Sequence, residues 1–169
     1  LAGEPGIGKT RLTAELAARV RDRGGLVLYG RCDEDGIVPH QPFVEALERL
    51  LADLPPESRE ALVAGRREAA ARLLPGLPPD EPPDAPPDAE TARYRSFEAV
   101  RGLVEEAARR WPALLALDDL HWADPGTLAL LRHLGRMLGR SRVLLLVTFR
   151  DTEIGRGRPL AATLAELRR

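Results

Sequence analysis

The 169-residue chain is 44% hydrophobic and 30% charged with a formal net charge of −1, which are the proportions of a globular protein and exclude a disordered one. The balanced charge excludes a broad basic surface, so we expect no direct contact with nucleic acid and no attraction to an acidic membrane. A single cysteine, Cys32, excludes an internal disulfide, and the apolar runs are too short to span a bilayer, so we expect a cytoplasmic location.

The first motif, GEPGIGKT at residues 3–10, fits the phosphate-binding pattern G-x-x-x-x-G-K-[ST]. Glycines in such a loop allow successive backbone N–H groups to point at an anion, and the helix that follows adds the partial positive charge of its N-terminus. A glycine-rich helix entry that binds nothing is the alternative. We expect the phosphates of a nucleotide to contact Gly3, Glu4, Pro5, Gly6, Ile7, Gly8, Lys9, Thr10 and Arg11.

Lys9 is the single lysine among the 25 lysine and arginine residues of the chain. An ammonium is a compact charge on a flexible stem, whereas a guanidinium is planar and presents five donors. We interpret the retained lysine as a requirement for an ammonium at the β- and γ-phosphates. The hydroxyl of Thr10 follows at the position where it would bind the accompanying Mg²⁺.

The first half of the chain predicts a strand between helices. A helix is expected from Gly8 to about Arg23, with Leu12, Leu16 and Val20 on one face, and LVLYG at 26–30 predicts a buried strand after it. Further helices are predicted from 39 to about 52, with Phe43, Leu47, Leu50 and Leu51 facing inward, and from 57 to 74. The proline-rich stretch at 75–90 predicts an exposed, semi-extended linker within the domain.

The second half repeats the alternation. A helix from Thr91 is indicated by the spacing of Phe97, Val100, Val104, Ala107 and Trp111. ALLAL at 113–117 predicts a strand buried on both faces, and VLLLVTF at 143–149 predicts another buried strand. Between them, Asp124 and Pro125 should begin a helix with Leu128, Leu131, Leu134 and Leu138 inward, and a last helix should cover 159–169. Strands that alternate with helices predict an α/β fold with a parallel sheet, in one domain over residues 1–169.

Two adjacent acids, Asp118 and Asp119, follow the most apolar strand. The carboxyl ends of parallel strands form the edge of the sheet at which ligands of α/β folds bind. We therefore predict that Asp118 holds Mg²⁺, directly or through water, and that Asp119 orients or polarises the attacking water. The alternative is that the pair only begins a solvated loop.

Arg150 follows the next buried strand at the same edge, where its guanidinium would contact the γ-phosphate. The alternative is an exposed arginine beside Asp151 and Glu153. Thr148 in the same turn is a weaker candidate for a bond to water or phosphate. The neighbouring His121 and Arg31 are not predicted to act.

Four stretches, GEPGIGKTRL, GRCDEDGIVPHQPFVEAL, ALLALDDLHWADPGTLALLRHL and LLLVTFRDTE, together resemble the AAA-type ATPase domain of STAND signalling proteins. The resemblance is greatest to the N-terminal module of large bacterial LuxR-type transcriptional regulators. It implies a P-loop NTPase of the ASCE type, a three-layer sandwich with a parallel sheet, truncated here at both ends. It also implies ATP/ADP and Mg²⁺ as ligands, and it assigns Lys9, Thr10, Asp118, Asp119 and Arg150 to the Walker A, Walker B and sensor-1 positions.

The resemblance further implies that the domain acts as a switch, in which ATP favours an open, oligomerising form and ADP favours a closed one. Its partners would be the downstream regulatory and DNA-binding domains of the full-length chain. A P-loop small-molecule kinase is an alternative, with RDTEIGRGRP at 150–159 as a poor candidate for its lid, and a scaffold without turnover is another. A GTPase is disfavoured because the chain contains no asparagine for an Asn-Lys-x-Asp guanine-binding motif.

Overall fold

The architecture is α/β in the computed structural model, which describes residues 1–36, 38–79, 87–137, 139, 141–153 and 159–168. The strands are β1 (Leu26–Arg31), β2 (Ala113–Asp118) and β3 (Val143–Val147). The helices are α1 (Lys9–Asp22), α2 (Gln41–Asp53), α3 (Pro56–Val63), α4 (Arg67–Ala71), α5 (Ala89–Arg110), α6 (Pro125–Met137) and α7 (Pro159–Leu167). Within these ranges, no helix combines the length and the apolar composition that crossing a bilayer would need.

The described strands form one parallel sheet in the order β1–β2–β3, which confirms the predicted parallel α/β arrangement. β2 lies in the centre and is buried at all six positions: the five of the apolar run, as predicted, and Asp118. The register places Arg31 of β1 opposite Asp118 of β2, so the carboxyl ends of these two strands lie side by side. The sheet therefore gathers at one edge the residues that follow its strands.

The two outer strands are less buried than the sequence predicted. Tyr29 in β1 is 40% exposed and Leu144 in β3 is 54% exposed. Their face of the sheet is covered by α1, which packs on β1 and β2 through a small cluster around Ala17, Leu114 and Ala116. A single helix over the middle of the sheet leaves the side chains of the outer strands partly open to solvent.

The larger core lies on the other face of the sheet, where α2, α5, α6 and α7 pack. The inward positions predicted for α2, α5 and α6 are confirmed: Phe43, Leu47, Leu50, Leu51, Phe97, Val100, Val104, Ala107, Leu128, Leu131 and Leu134 are buried. Leu138 lies outside the described residues. Two residues of the apolar series that predicted the first helix and the helix from Thr91, Leu12 and Trp111, are exposed. The apolar period identified the helices correctly but not every residue on the buried face.

The predicted helix over residues 57–74 is interrupted. α3 ends at Val63 and α4 begins at Arg67, and between them Gly65 has a φ of 71°. This left-handed backbone conformation is open to glycine at little cost and ends a right-handed helix. The interruption allows α4 to pack on α5 in its own orientation.

The proline-rich stretch is only partly described, because residues 80–86 lie outside the described ranges. Leu77 is buried in the core, so the expectation of an exposed linker does not hold at that position. At the other end α5 already begins at Ala89, where the carboxylate of Asp88 accepts hydrogen bonds from the backbone N–H groups of Glu90 and Thr91. This N-cap fixes the start of α5 within the last residues of the stretch.

α2 crosses β1 so closely that only glycine fits at position 30. A Cβ on Gly30 would lie 1.8 Å from the carbonyl oxygen of Pro42, which is backbone and cannot turn aside. We expect Gly30→Ala to lower the free energy of unfolding by about 3 kcal/mol, measured by urea denaturation. Gly139→Ala is the control, because a Cβ there would meet no atom within 4 Å and stability should hold. Equal stability of the two variants would contradict the close crossing.

Candidate functional site

The loop over residues 3–8 leads from the edge of the sheet into α1. A parallel bridge between Ala2 and Phe149 holds its beginning beside the end of β3. Gly6 and Gly8 have φ values of 79° and 100°, which L side chains rarely adopt, so these two positions require glycine. α1 then begins with no side-chain cap among the described residues and no acid in its first turn. Its N-terminal N–H groups are therefore available to an anion.

Lys9 lies over this loop rather than extending into solvent. Its Nζ donates to the carbonyl oxygens of Gly3 at 2.8 Å and Glu4 at 2.9 Å. The ammonium is thereby held at the centre of the turn that the glycines make. Of the other residues predicted to contact phosphate, the exposed ones are Glu4, Pro5, Gly6, Ile7, Gly8, Thr10 and Arg11.

Asp118 is 1% exposed and accepts hydrogen bonds from three hydroxyl groups within the described residues. Thr10 Oγ1 and Tyr29 Oη each donate to Oδ2 at 3.1 Å, and the Thr148 hydroxyl donates to Oδ1. Burial and the neighbouring Asp118 raise the pKa of Tyr29 to about 12, so its hydroxyl stays protonated and donates. The bond from Thr10 connects the residues that follow the glycine loop to Asp118 at the end of β2. The sequence predicted that these two segments meet at one edge of the sheet.

Asp119, the predicted water-orienting acid, is held by Arg31. Both Nε and Nη2 of Arg31 lie 3.1 Å from Asp119 Oδ2. Asp119 has a left-handed backbone conformation, with φ of 58°, and its N–H donates to Thr148 Oγ1 at 3.0 Å. Sequence reasoning set Arg31 aside, although it stands at the end of β1 and pairs in register with Asp118. The sequence carries no local signal for this contact, because it depends on the register between β1 and β2.

Arg150 lies at the end of β3, at the same edge as the acids. Its Nη1 is 3.3 Å from Glu153 Oε1, so it pairs within its own turn. This agrees with the alternative interpretation of an arginine beside an acid, and the Arg150 side chain is about one third exposed. Thr148 bonds to Asp118 and Asp119, which gives its hydroxyl protein partners instead of the water or phosphate that was suggested for it.

His121 also lies at this edge, although it was not predicted to act. Its side chain is 1% exposed, yet neither ring nitrogen has a hydrogen-bond partner in the described part of the chain. Its Nδ1 lies 3.9 Å from Asp119 Oδ1. Burial lowers the pKa of His121, opposed by Asp119 and assisted by the positive charge of Arg150, so the ring is neutral at pH 7. A neutral imidazole offers one donor and one acceptor to a ligand.

The donor set at this edge suits a nucleotide with Mg²⁺ better than a metal alone. Among the described residues, no group of three or more histidines, cysteines or acids is placed to hold a metal by itself. Mg²⁺ is commonly held by one or two protein oxygens together with phosphate oxygens and water. Thr10 and Asp118 would supply such oxygens, and the uncapped α1 terminus with Lys9 would supply donors for phosphate.

Comparison with known proteins gives one family and one relative. The family model of the AAA ATPase domain matches residues 1–147. An uncharacterized protein of Rhizobium meliloti (strain 1021) is 29% identical over 172 residues, a match that covers 90% of this chain and 16% of that protein. The chain thus spans about a sixth of the length of that relative. No solved structure matches the chain significantly.

Proposed function

The chain belongs to the AAA ATPase domain family, and on that premise we propose that it binds ATP with Mg²⁺ and hydrolyses it slowly, as a nucleotide-dependent switch. The observation that carries the proposal is the 3.1 Å hydrogen bond between Thr10 Oγ1 and Asp118 Oδ2. It joins the end of a glycine loop to an acid 108 residues away, at the carboxyl edge of a parallel sheet. A P-loop fold of the ASCE type would arrange its phosphate loop and its acid in this way.

Binding would use the loop, Lys9 and the start of α1. The triphosphate accepts hydrogen bonds from the N–H groups of the loop and of the first turn of α1. Lys9 Nζ exchanges the carbonyl oxygens of Gly3 and Glu4 for phosphate oxygens, which are stronger acceptors because they are charged. Thr10 and Asp118 would hold Mg²⁺, which would supply positive charge to offset that of the phosphates.

Hydrolysis would be an in-line attack of water on the γ-phosphorus, with Asp119 accepting a hydrogen bond from that water. The new P–O bond forms as the bond to the bridging oxygen breaks, and ADP leaves while the proton of the water passes through Asp119 to solvent. Arg31 occupies Oδ2 of Asp119, so Oδ1 is the oxygen left to accept a hydrogen bond from the water. Slow turnover would suit a switch that responds to the nucleotide bound.

Arg150→Ala is expected to weaken ATP binding about tenfold and to leave ADP binding unchanged. A guanidinium at the end of β3 would contact only the γ-phosphate, and one charge-assisted hydrogen bond at a partly exposed site has about this effect. Equilibrium titration with fluorescent ATP and ADP analogues measures both affinities. Arg142→Ala, an exposed arginine at the opposite edge of the sheet, is the control. An equal loss for both nucleotides would contradict contact with the γ-phosphate.

We further propose that residues 1–169 act as one cytoplasmic domain, with an insertion at 75–90, in a larger LuxR-type transcriptional regulator. The sequence resemblance supports this context, and so does the small share of the R. meliloti relative that the chain matches. Its partners would be the regulatory and DNA-binding domains of the full-length chain and further copies of that chain. Sedimentation of the full-length protein should show larger assemblies with ATP than with ADP.

One assay separates the proposed function from its alternatives. The protein is incubated with ATP and Mg²⁺, and ADP and inorganic phosphate are measured over time, with EDTA as the control. Equal amounts of ADP and phosphate, both abolished by EDTA, are the expected result. ADP without phosphate, appearing only when a small-molecule acceptor is added, would indicate a kinase. Binding of ATP without either product would indicate a scaffold.

A further inference from the structure

Tyr29 connects the outer strand β1 to the predicted metal-binding acid. Its Oη donates to Asp118 Oδ2 at 3.1 Å. We propose that Tyr29 is a positioning residue for Mg²⁺, which fixes the Asp118 carboxylate in the orientation that the metal or its bound water requires. The inference rests on the proposed function of the same site and goes beyond it. It makes the affinity of the site for Mg²⁺ depend on a side chain that does not itself bind the metal.

The register of the sheet makes this contact possible. Tyr29 stands directly opposite Ala116, and Asp118 is two residues further along β2, so the two side chains are diagonal neighbours on one face. Such neighbours are separated by about 7 to 8 Å between backbone positions, which an aromatic side chain can span. The small side chain of Ala116 leaves room for the ring to reach across it.

The bond from Tyr29 is one of three hydroxyl bonds that orient the Asp118 carboxylate. Thr148 fixes Oδ1, and Oδ2 is shared by Thr10 and Tyr29. Thr10 is itself a predicted ligand, whose oxygen would turn to the metal. Tyr29 is then the remaining donor to Oδ2 among the described residues, and β1 holds its backbone in the sheet.

The exposure of Tyr29 argues against a purely packing role. The residue is 40% exposed, so its ring is not locked by the core and its hydroxyl bond is the contact that directs it toward Asp118. Partners that orient a metal-binding side chain typically change metal affinity by about ten- to a hundredfold when they are removed. Removing the hydroxyl alone should therefore weaken Mg²⁺ binding without disturbing the fold.

The test is Tyr29→Phe, compared with Tyr94→Phe, which alters the exposed tyrosine of α5 and is the matched control. A fluorescent ADP analogue is titrated into each protein without Mg²⁺ and then at increasing Mg²⁺ concentrations. We expect the Mg²⁺ concentration at half-effect to rise about tenfold in Tyr29→Phe and to stay at the wild-type value in Tyr94→Phe. The affinity without Mg²⁺ should be unchanged in both, since the loop and Lys9 are intact.

The outcomes separate this inference from the proposed function. If wild-type protein fails to bind the ADP analogue, the proposed function is wrong. If wild-type binding responds to Mg²⁺ and the half-effect concentration of Tyr29→Phe is equal to or below the wild-type value, the role of Tyr29 is wrong and the proposed function stands. Loss of affinity in Tyr29→Phe without Mg²⁺ would likewise overturn it, because that result indicates a structural role.

Discussion

Replacing Lys9 with alanine is expected to weaken ATP binding by about 10²- to 10⁴-fold. The ammonium would form charge-assisted hydrogen bonds to two phosphate oxygens, and each such bond contributes about 1.5 to 3 kcal/mol. The present contacts of Nζ, to the carbonyl oxygens of Gly3 and Glu4, place it where those phosphate oxygens would lie. Calorimetric titration with ATP and Mg²⁺ measures the loss.

Two variants make this result specific. Lys9→Arg keeps the charge but replaces the compact ammonium with a planar group, and we expect it to recover little of the affinity. Arg21→Ala removes an exposed charge from the far end of the same helix and should bind like the wild type. Unchanged ATP affinity in Lys9→Ala would refute the assignment of the loop. Full affinity in Lys9→Arg would refute the argument that this position requires an ammonium.

Replacing Asp119 with asparagine is expected to keep ATP binding and to lower turnover by about 10²- to 10⁴-fold. An amide has one oxygen acceptor and cannot take a proton from water, so general-base assistance of this size is lost. The side chain is nearly isosteric, and Asp118, which carries the predicted metal contact, is unchanged. Phosphate release under single-turnover conditions measures the chemical step apart from product release.

Asp151→Asn is the control for this variant, because Asp151 is an exposed acid at the same edge of the sheet. Its turnover should equal that of the wild type. Wild-type turnover in Asp119→Asn would remove Asp119 from the mechanism. Loss of ATP binding in that variant would mean that Asp119 contributes to the binding of nucleotide rather than to hydrolysis.

The features that could be predicted from the sequence are those set by local pattern and by the geometry of parallel sheets. Five of the six buried residues of β2 form one apolar run at 113–117, and Asp118 comes directly after that run. The approach of Thr10 to Asp118 could be anticipated, because helix starts and strand ends meet at one edge in such folds. The cap of α6 by Asp124 is likewise local, with N–H donors two and three residues away.

The features that could not be predicted depend on pairing between distant segments. Tyr29 and Asp118 are 89 residues apart, and their contact exists only in the register that sets Tyr29 opposite Ala116. Arg31 reaches Asp119 through the same register. The burial of His121 depends on the packing of the turn after β2, which a single histidine in the sequence does not reveal. The exposure of Leu144 likewise could not be predicted, because it depends on how far α1 extends over its face of the sheet.

The most direct test of the account is a crystal structure of the protein with a non-hydrolysable ATP analogue and Mg²⁺. We expect the β- and γ-phosphates to lie within the loop of residues 3–8, with Lys9 Nζ bonded to both. We also expect Mg²⁺ to contact Thr10 Oγ1 and to reach Asp118 directly or through one water. Nucleotide bound away from this edge of the sheet, or phosphates out of reach of Lys9, would contradict it.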